Sequence, residues 1–78
     1  MKIELQNYMK IKMKNNIKEL RAALKMTQSD LAQQIEVSRQ TVNAIEKGKF
    51  DPSLPTAFRL AAVFNCSIEE LFVYESES

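Results

Sequence analysis

Four side chains between residues 39 and 47 have the chemistry to read the edges of DNA bases. Drawn as a helix at about 100° per residue, the segment places these side chains on one arc: Arg39, Gln40, Asn43 and Lys47. Thr41, Val42 and Ile45 occupy the opposite arc, which predicts that this side faces a core. Arginine pairs with guanine, and asparagine or glutamine pairs with adenine, in the major groove. Every exposed helix carries polar residues, so this pattern needs support from the elements around it.

The composition argues against catalysis. The chain has 78 residues, no histidine, one cysteine and one glycine. Histidine is the commonest general base and metal ligand, and zinc sites need clusters of cysteine and histidine. Phosphate-binding loops need several glycines at fixed spacing. We therefore expect a protein that is not an enzyme and that uses no cofactor and no metal ion.

The length predicts a single small domain, which is either a marginal monomer or an oligomer, because so short a chain buries only about 60% of its unfolded surface. The sequence contains no run of 18 apolar residues and no secretory signal pattern, so we expect no membrane association. The single cysteine fits a reducing cytoplasm. Cys66 is expected to be a small buried apolar residue rather than a reactive thiol.

Charge is unevenly distributed although the net charge is only +1. Residues 1–26 hold seven basic and two acidic residues, and residues 51–78 hold one basic and five acidic residues. Such a dipole can bind a polyanion at its basic end while the acidic end faces away. Ordinary solvated charge is the alternative interpretation, and charge alone favours it.

Caps and apolar periodicity predict five helices. Thr27 and Asp30 form a capping-box pattern, Ser38 repeats the cap, and Ser67 with Glu70 forms a second box. The predicted helices cover residues 16–25, 28–35 and 39–47, then a segment that starts near residue 53, then a short one after Ser67. Gly48 ends the third helix, because glycine adopts positive φ without a clash.

The same periodicity predicts the core. The expected core residues are Leu20, Leu24, Leu31, Ile35, Val42, Ile45, Leu60, Phe64 and Leu71. The fourth helix is expected to bury some combination of its apolar residues: Leu54, Ala57, Phe58, Leu60, Ala61 and Phe64.

The two ends of the chain have a different pattern. Apolar residues occupy most odd positions and polar residues most even positions up to residue 14, which predicts a strand. Phe72, Val73 and Tyr74 are strand-favouring types. The ends are expected to pair with each other or with a second chain, and a disordered basic leader is the alternative. We divide the chain into a leader (1–15), a helical domain (16–72) and a tail (73–78).

Three motifs occur together between residues 17 and 72: TQ-x-x-LA, VS-x-x-T-V-x-x-I-E-x-G and PSL-x-x-A. In this combination the sequence resembles the Cro/C1-type, or XRE-type, helix-turn-helix domain of phage repressors and small bacterial regulators. The resemblance implies an all-α, lambda-repressor-like bundle of five helices, to which the paired ends would add a small β-ribbon. The second and third helices would form the helix-turn-helix, with the third in the major groove.

The resemblance also implies roles for single residues. Base contacts are expected from Arg39, Gln40, Asn43 and Ala44. DNA backbone contacts are expected from Gln28, Ser38, Lys47 and Lys49. Gln28 is also expected to brace the recognition helix. Arg21 and Glu46 match a structural salt bridge between the first helix and the end of the third. Glu36 stands where many members have glycine, and a non-glycine residue at positive φ costs roughly 1 kcal/mol.

The implied function is a sequence-specific transcriptional regulator that binds double-stranded DNA. It would act as a homodimer on a palindromic operator and would either repress by occupancy or respond through dimerisation. It is expected in the cytoplasm of a bacterium or phage host, associated with the nucleoid. No small-molecule ligand is evident. The alternative is an antitoxin-like or adaptor module that binds protein through the same fold. The donor-rich face of the third helix favours DNA.

The dimer interface is expected in the acidic C-terminal portion, because the basic portion and the third helix should face phosphate. We place it at Phe72, Val73 and Tyr74, with a contribution from Phe64 or Ile68. The leader, around Ile11 and Met13, would pair with residues 72–75 and extend it. The alternative is that Tyr74 closes the core of a monomer that dimerises only on DNA.

Overall fold

Five helices and a two-stranded ribbon make up the chain in a computed structural model that describes residues 10–77. The elements in chain order are β1 (Lys10–Asn15), α1 (Ile17–Ala23), α2 (Gln28–Ile35), α3 (Arg39–Glu46), α4 (Leu54–Phe64), α5 (Ile68–Leu71) and β2 (Phe72–Glu77). The predicted number and order of helices are confirmed. The part of the strand prediction that concerns positions before residue 10 lies outside the described residues.

Hydroxyl caps set the starts of four helices. The Thr27 side chain accepts a hydrogen bond from the Asp30 backbone N–H, and the Asp30 carboxylate accepts one from the Thr27 backbone N–H, which completes the predicted capping box. The hydrogen bond from the Thr27 backbone, followed by that with its side chain, lowers the pKa of Asp30. Ser67 and Glu70 form the second predicted box. Ser38 caps α3 as predicted, and α4 is capped in the same way.

Residues with positive φ lie at or just after the ends of several helices. Gly48 follows α3 with φ of 73°, as predicted, and Glu36 follows α2 with φ of 64°. Glu36, where the resemblance implies glycine, therefore has a left-handed backbone conformation. Lys25 also has positive φ, 57°, and reverses the chain directly after α1. Nothing in the sequence marks that lysine as a left-handed residue.

The core lies where the helices meet. Its buried apolar residues are Ile17, Leu31, Ala32, Ile35, Val42, Ile45, Ala57, Leu60, Leu71 and Phe72. Six of the predicted core residues are in this set. Two more, Leu20 and Phe64, are partly buried against it. The prediction for Leu24 is wrong, because α1 ends at Ala23 and the Leu24 side chain is left 56% exposed. Ile17 is the residue of α1 that reaches the core.

α4 is apolar on nearly every side, but only one side can face the core. Thr56, Ala57 and Leu60 are buried there. Leu54 and Phe58 are mostly exposed, so the apolar pattern overestimated how much of this helix is buried. Cys66 is partly buried, and burial is the main cause that raises the pKa of its thiol.

The two ends of the described chain pair as an antiparallel ribbon, which confirms the predicted β-ribbon. Met13 lies opposite Tyr74, and Asn15 lies opposite Phe72. Successive residues of a strand point to opposite faces, so Val73 lies on the other face from its two neighbours. Phe72 is only 8% exposed and belongs to the core. The expectation that Phe72 presents its ring to a second copy is therefore wrong.

Candidate nucleic-acid interface

α2 and α3 form a helix pair joined by three residues, 36–38. Leu31 and Ile35 of α2 and Val42 and Ile45 of α3 are all at most 2% exposed, so the two helices share the core. The Ser38 hydroxyl accepts from the Thr41 backbone N–H at 3.1 Å and fixes where α3 begins. The inner side of α3 is thus held by packing, and its outer side is left to solvent.

The outer side carries the side chains that the sequence analysis selected. Arg39 and Gln40 are exposed in the first turn of α3, while Asn43 and Ala44 are half-buried further along. Among the predicted backbone-contacting residues, Ser38, Lys47 and Lys49 are exposed. The structure therefore places hydrogen-bond donors from Arg39 to Lys49 at the surface, on α3 and just after it.

Gln28 differs from the other predicted contacts because its side chain turns inward. Its Nε2 donates to Oδ1 of Asn43 and to Oε1 of Glu46, each at 3.1 Å. Gln28 thus braces α3. Both hydrogens of the amide are used, so this side chain has no donor left for a phosphate. A phosphate contact at Gln28 would come from its backbone N–H, since first-turn N–H groups have no partner within a helix.

Arg21 and Glu46 form the predicted ion pair. Arg21 Nε lies 2.8 Å from Glu46 Oε2, and Nη2 lies 3.2 Å from Oε1. Nη1 donates to the Met26 carbonyl at 2.9 Å. The side chains are 15% and 6% exposed, so water screens the pair little. The hydrogen bond to Glu46 is the main cause that raises the pKa of Arg21, and burial partly opposes it. The pair ties α1 to the last residue of α3.

The helix-turn-helix family model HTH_3 matches residues 17–71. The chain belongs to this family. It is 54% identical over 65 residues to an uncharacterized HTH-type transcriptional regulator of Methanocaldococcus jannaschii. The aligned segment covers 83% of this chain and 98% of the relative. It is 44% identical over 66 residues to the Bacillus subtilis HTH-type regulator YgzD, also uncharacterized, covering 85% of this chain and all of the relative.

A solved structure supports the same family. The restriction-modification controller protein C.AhdI from Aeromonas hydrophila matches with a TM-score of 0.67 and 32% identity, covering 73% of this chain and 86% of that chain. The Cro/C1-type assignment and the five-helix fold class are thereby confirmed. As a member of this family, the chain is a DNA-binding helix-turn-helix regulator of transcription and not an enzyme. Its relatives come from an archaeon as well as from a bacterium, so a bacterial or phage origin stays a prediction.

Two asparagines at the start of the helical domain were missed by the sequence analysis. Asn15 Nδ2 donates to the Ile45 carbonyl near the end of α3 at 3.0 Å, and Asn16 Nδ2 donates to the Glu70 carbonyl at 3.1 Å. An asparagine before a helix is typical of a side-chain cap, but Asn16 makes no such cap. Asn15 thus joins the ribbon to α3, and Asn16, which lies between β1 and α1, contacts α5.

Within the described range, residues 10–77, no helix is long and apolar enough to cross a membrane. The same part of the chain contains no group of three or more acidic or cysteine side chains that could hold a metal ion.

Proposed function

We propose that this chain represses transcription by occupying a palindromic operator as a homodimer, with α3 of each copy in the major groove. The observation that carries the proposal is the pair Arg39 and Gln40, exposed at the start of a helix whose opposite side is fixed in the core. The N-terminal residues of a recognition helix are those that meet base edges. Repression by occupancy needs only binding that excludes other proteins.

Base specificity is assigned to Arg39 and Gln40, with Asn43 and Ala44 on the same side. Lys47 and Lys49 are assigned to phosphates together with Ser38, and Gln28 is assigned a phosphate contact through its backbone N–H. An adaptor or antitoxin-like module would more often present apolar or acidic side chains on α3. The exposed donors on this helix favour DNA over that alternative.

The test compares bound sequences selected from random duplex DNA. Arg39→Ala should weaken binding by about 1–3 kcal/mol and relax the preference at one base pair in each half-site. Lys49→Ala should weaken binding to all sequences alike and reduce the salt slope by about one. Arg59→Ala removes an exposed arginine from α4 and is the matched control, with binding expected to be unchanged. An Arg39→Ala variant that keeps full affinity and selects the same DNA sequence would contradict the base-contacting role assigned to Arg39.

A second copy is expected on the apolar groove beside the ribbon. The groove has a volume of about 470 Å³ and is lined by Met13, Asp51, Pro52, Leu54, Ala57, Ile68, Phe72 and Tyr74. Leu54 and Tyr74 are 66% and 55% exposed. None of the lining residues belongs to α2 or α3, so both recognition helices would stay free. A single module covers only a half-site, and dimers of this motif span about 34 Å between recognition helices.

Sedimentation of the free protein tests this interface. We expect a dimer at concentrations well above micromolar, and we expect Tyr74→Asp to dissociate it. Val73, which was expected in the interface, lies on the other face of the ribbon and does not line this groove. Its side chain is 51% exposed, so with the interface placed on the groove Val73→Asp adds the same charge outside it and should leave the dimer intact. If the wild type is a monomer at those concentrations, or if Tyr74→Asp leaves the dimer intact, this interface is wrong.

A further inference from the structure

An open cleft lies between β1 of the ribbon and the end of α3. It has a volume of about 250 Å³ and is lined by Met13, Lys14, Asn15, Glu46, Lys47 and Gly48. We propose that this cleft binds a DNA phosphate, so that Lys14 of the ribbon adds a backbone contact outside the helix-turn-helix. The inference rests on the proposed function, in which Lys47 lies at the phosphates beside the major groove.

β1 is held in place at the end of α3. The Asn15 side chain donates from Nδ2 to the Ile45 carbonyl at 3.0 Å. A Cβ atom at Gly48 would lie 3.7 Å from the Met13 carbonyl oxygen, so the backbones of β1 and of the segment after α3 approach closely. Lys14 stands between these two anchored residues of β1. Its backbone position beside the end of α3 is therefore fixed by the fold before any ligand arrives.

The charges around the cleft favour an anion. Lys14 and Lys47 are both exposed and border the cleft from different sides, one on β1 and one directly after α3. Glu46 also lines the cleft, but its carboxylate accepts from Arg21 and Gln28, and its side chain is 6% exposed. The Arg21 guanidinium offsets that negative charge. The two lysines thus dominate the charge that a ligand meets, and a lysine ammonium binds phosphate as a point charge.

The proposed dimer leaves this side of the ribbon open. Lys14 lies opposite Val73, and Met13 lies opposite Tyr74. Successive residues of a strand point to opposite faces, and Met13 and Tyr74 line the groove assigned to the second copy. One face of the ribbon can therefore meet a second copy while Lys14, on the other face, meets DNA. A phosphate contact carries no sequence information, so Lys14 should add affinity without changing the preferred sequence.

The experiment measures affinity as a function of salt, with the duplex that the wild type selects from random DNA as the probe. Each neutralised phosphate contributes about 0.9 to the slope of log K against log salt concentration. Lys14→Gln should flatten the slope by about that amount, which weakens binding about eightfold at 0.1 M salt and leaves no difference near 1 M. Lys14→Gln should select the same sequence as the wild type. Lys14→Arg keeps the charge and should keep both affinity and slope.

Lys18→Gln is the matched control, because Lys18 is an exposed lysine of α1 that does not line the cleft. Its affinity and salt slope should equal those of the wild type. Replacing single phosphates of the duplex by uncharged methylphosphonates then locates the contact. The wild type should lose affinity at one phosphate per half-site where Lys14→Gln loses none. If Lys14→Gln does not fold, Lys14→Thr takes its place, since strands favour threonine.

Equal results for Lys14→Gln and Lys18→Gln, whether both lose affinity or neither does, would overturn the inference. A loss in Lys14→Arg as large as that in Lys14→Gln would also overturn it, because the charge would then not be the cause. So would a methylphosphonate scan that is the same for the wild type and Lys14→Gln. A wild type that binds no DNA would contradict the proposed function itself. If Lys47→Gln flattens the salt slope and Lys14→Gln does not, the function stands and only this inference is wrong.

Discussion

Replacing Glu46 with methionine should remove a large share of the stability of this protein. The Glu46 carboxylate accepts from Arg21 at 2.8 and 3.2 Å and from Gln28 at 3.1 Å, and its side chain is 6% exposed. Glu46→Met leaves the Arg21 guanidinium partly buried without a counter-ion. Removing one partner of a buried pair typically costs about 3–5 kcal/mol. A chain of this length has a free energy of unfolding of roughly 4–12 kcal/mol, taken at 0.05–0.15 kcal/mol per residue.

The measurement is urea and thermal unfolding followed by circular dichroism. At about 4–8 °C per kcal/mol for a domain of this size, the melting temperature of Glu46→Met should fall by at least about 12 °C. Arg21→Met should lose a similar amount, because it leaves the carboxylate buried. The double variant replaces the pair with two apolar side chains and should lose far less than the sum, since neither charge is left unpaired.

Glu19→Met is the control, because Glu19 is an exposed carboxylate of α1 and its removal should cost less than about 1 kcal/mol. A Glu46→Met variant that loses no more than this control would refute the reasoning. So would a double variant that is as unstable as the sum of the two single ones. Either result would mean that the pair is solvated and does not hold α3.

The remaining predictions concern local structure and are all measured by unfolding. Glu36→Gly should stabilise the protein by roughly 1 kcal/mol, because Glu36 has φ of 64°, and a loss of stability would contradict this. Ser38→Ala should cost about 1 kcal/mol by removing the cap of α3, whereas Ser29→Ala, at an exposed and non-capping position, should not. Hydrogen bonds with Thr27 lower the pKa of Asp30 in the folded protein. The capping box should therefore stabilise the fold fully at pH values above the pKa of Asp30 in the unfolded chain, about 3.9. This contribution should be lost as the pH falls through the lower pKa of Asp30 in the folded protein. In Asp30→Asn the free energy of unfolding should fall less steeply as the pH is lowered. An unchanged slope would contradict the role assigned to the Asp30 carboxylate.

The features that were predictable from sequence are those set by residues close in the chain. The Thr27 and Ser67 boxes each join positions three residues apart, so the start of a helix can be read from a few letters. Alternation of apolar and polar types gave the inner and outer sides of α3 for the same reason. The end of α1 could not be predicted, because Lys25 reverses the chain with a conformation that lysine rarely adopts. Leu24 was misplaced as a result.

Other features depend on which distant segments meet. Alternation shows that Phe72 and Val73 lie on opposite faces of a strand, but it does not show which face is inward. The register with β1 and the packing beneath the ribbon decide that Phe72 is the buried one. Gln28 and Asn43 lie 15 residues apart on different helices. Their contact depends on how α2 packs on α3, so the sequence could indicate both residues but not their shared hydrogen bond.

The contacts described above hold α3 at its start, along its inner side and at its end. Ser38 caps its first turn, Val42 and Ile45 anchor its inner side, and Glu46 with Arg21 holds its last residue. A helix held at all three places loses little backbone freedom when it enters a groove, so binding orders mainly the exposed side chains at its start. Ordering a long side chain costs about 0.5–1.5 kcal/mol, which is less than a good base contact contributes. Sequence preference at this helix should therefore depend on the identity of its exposed side chains.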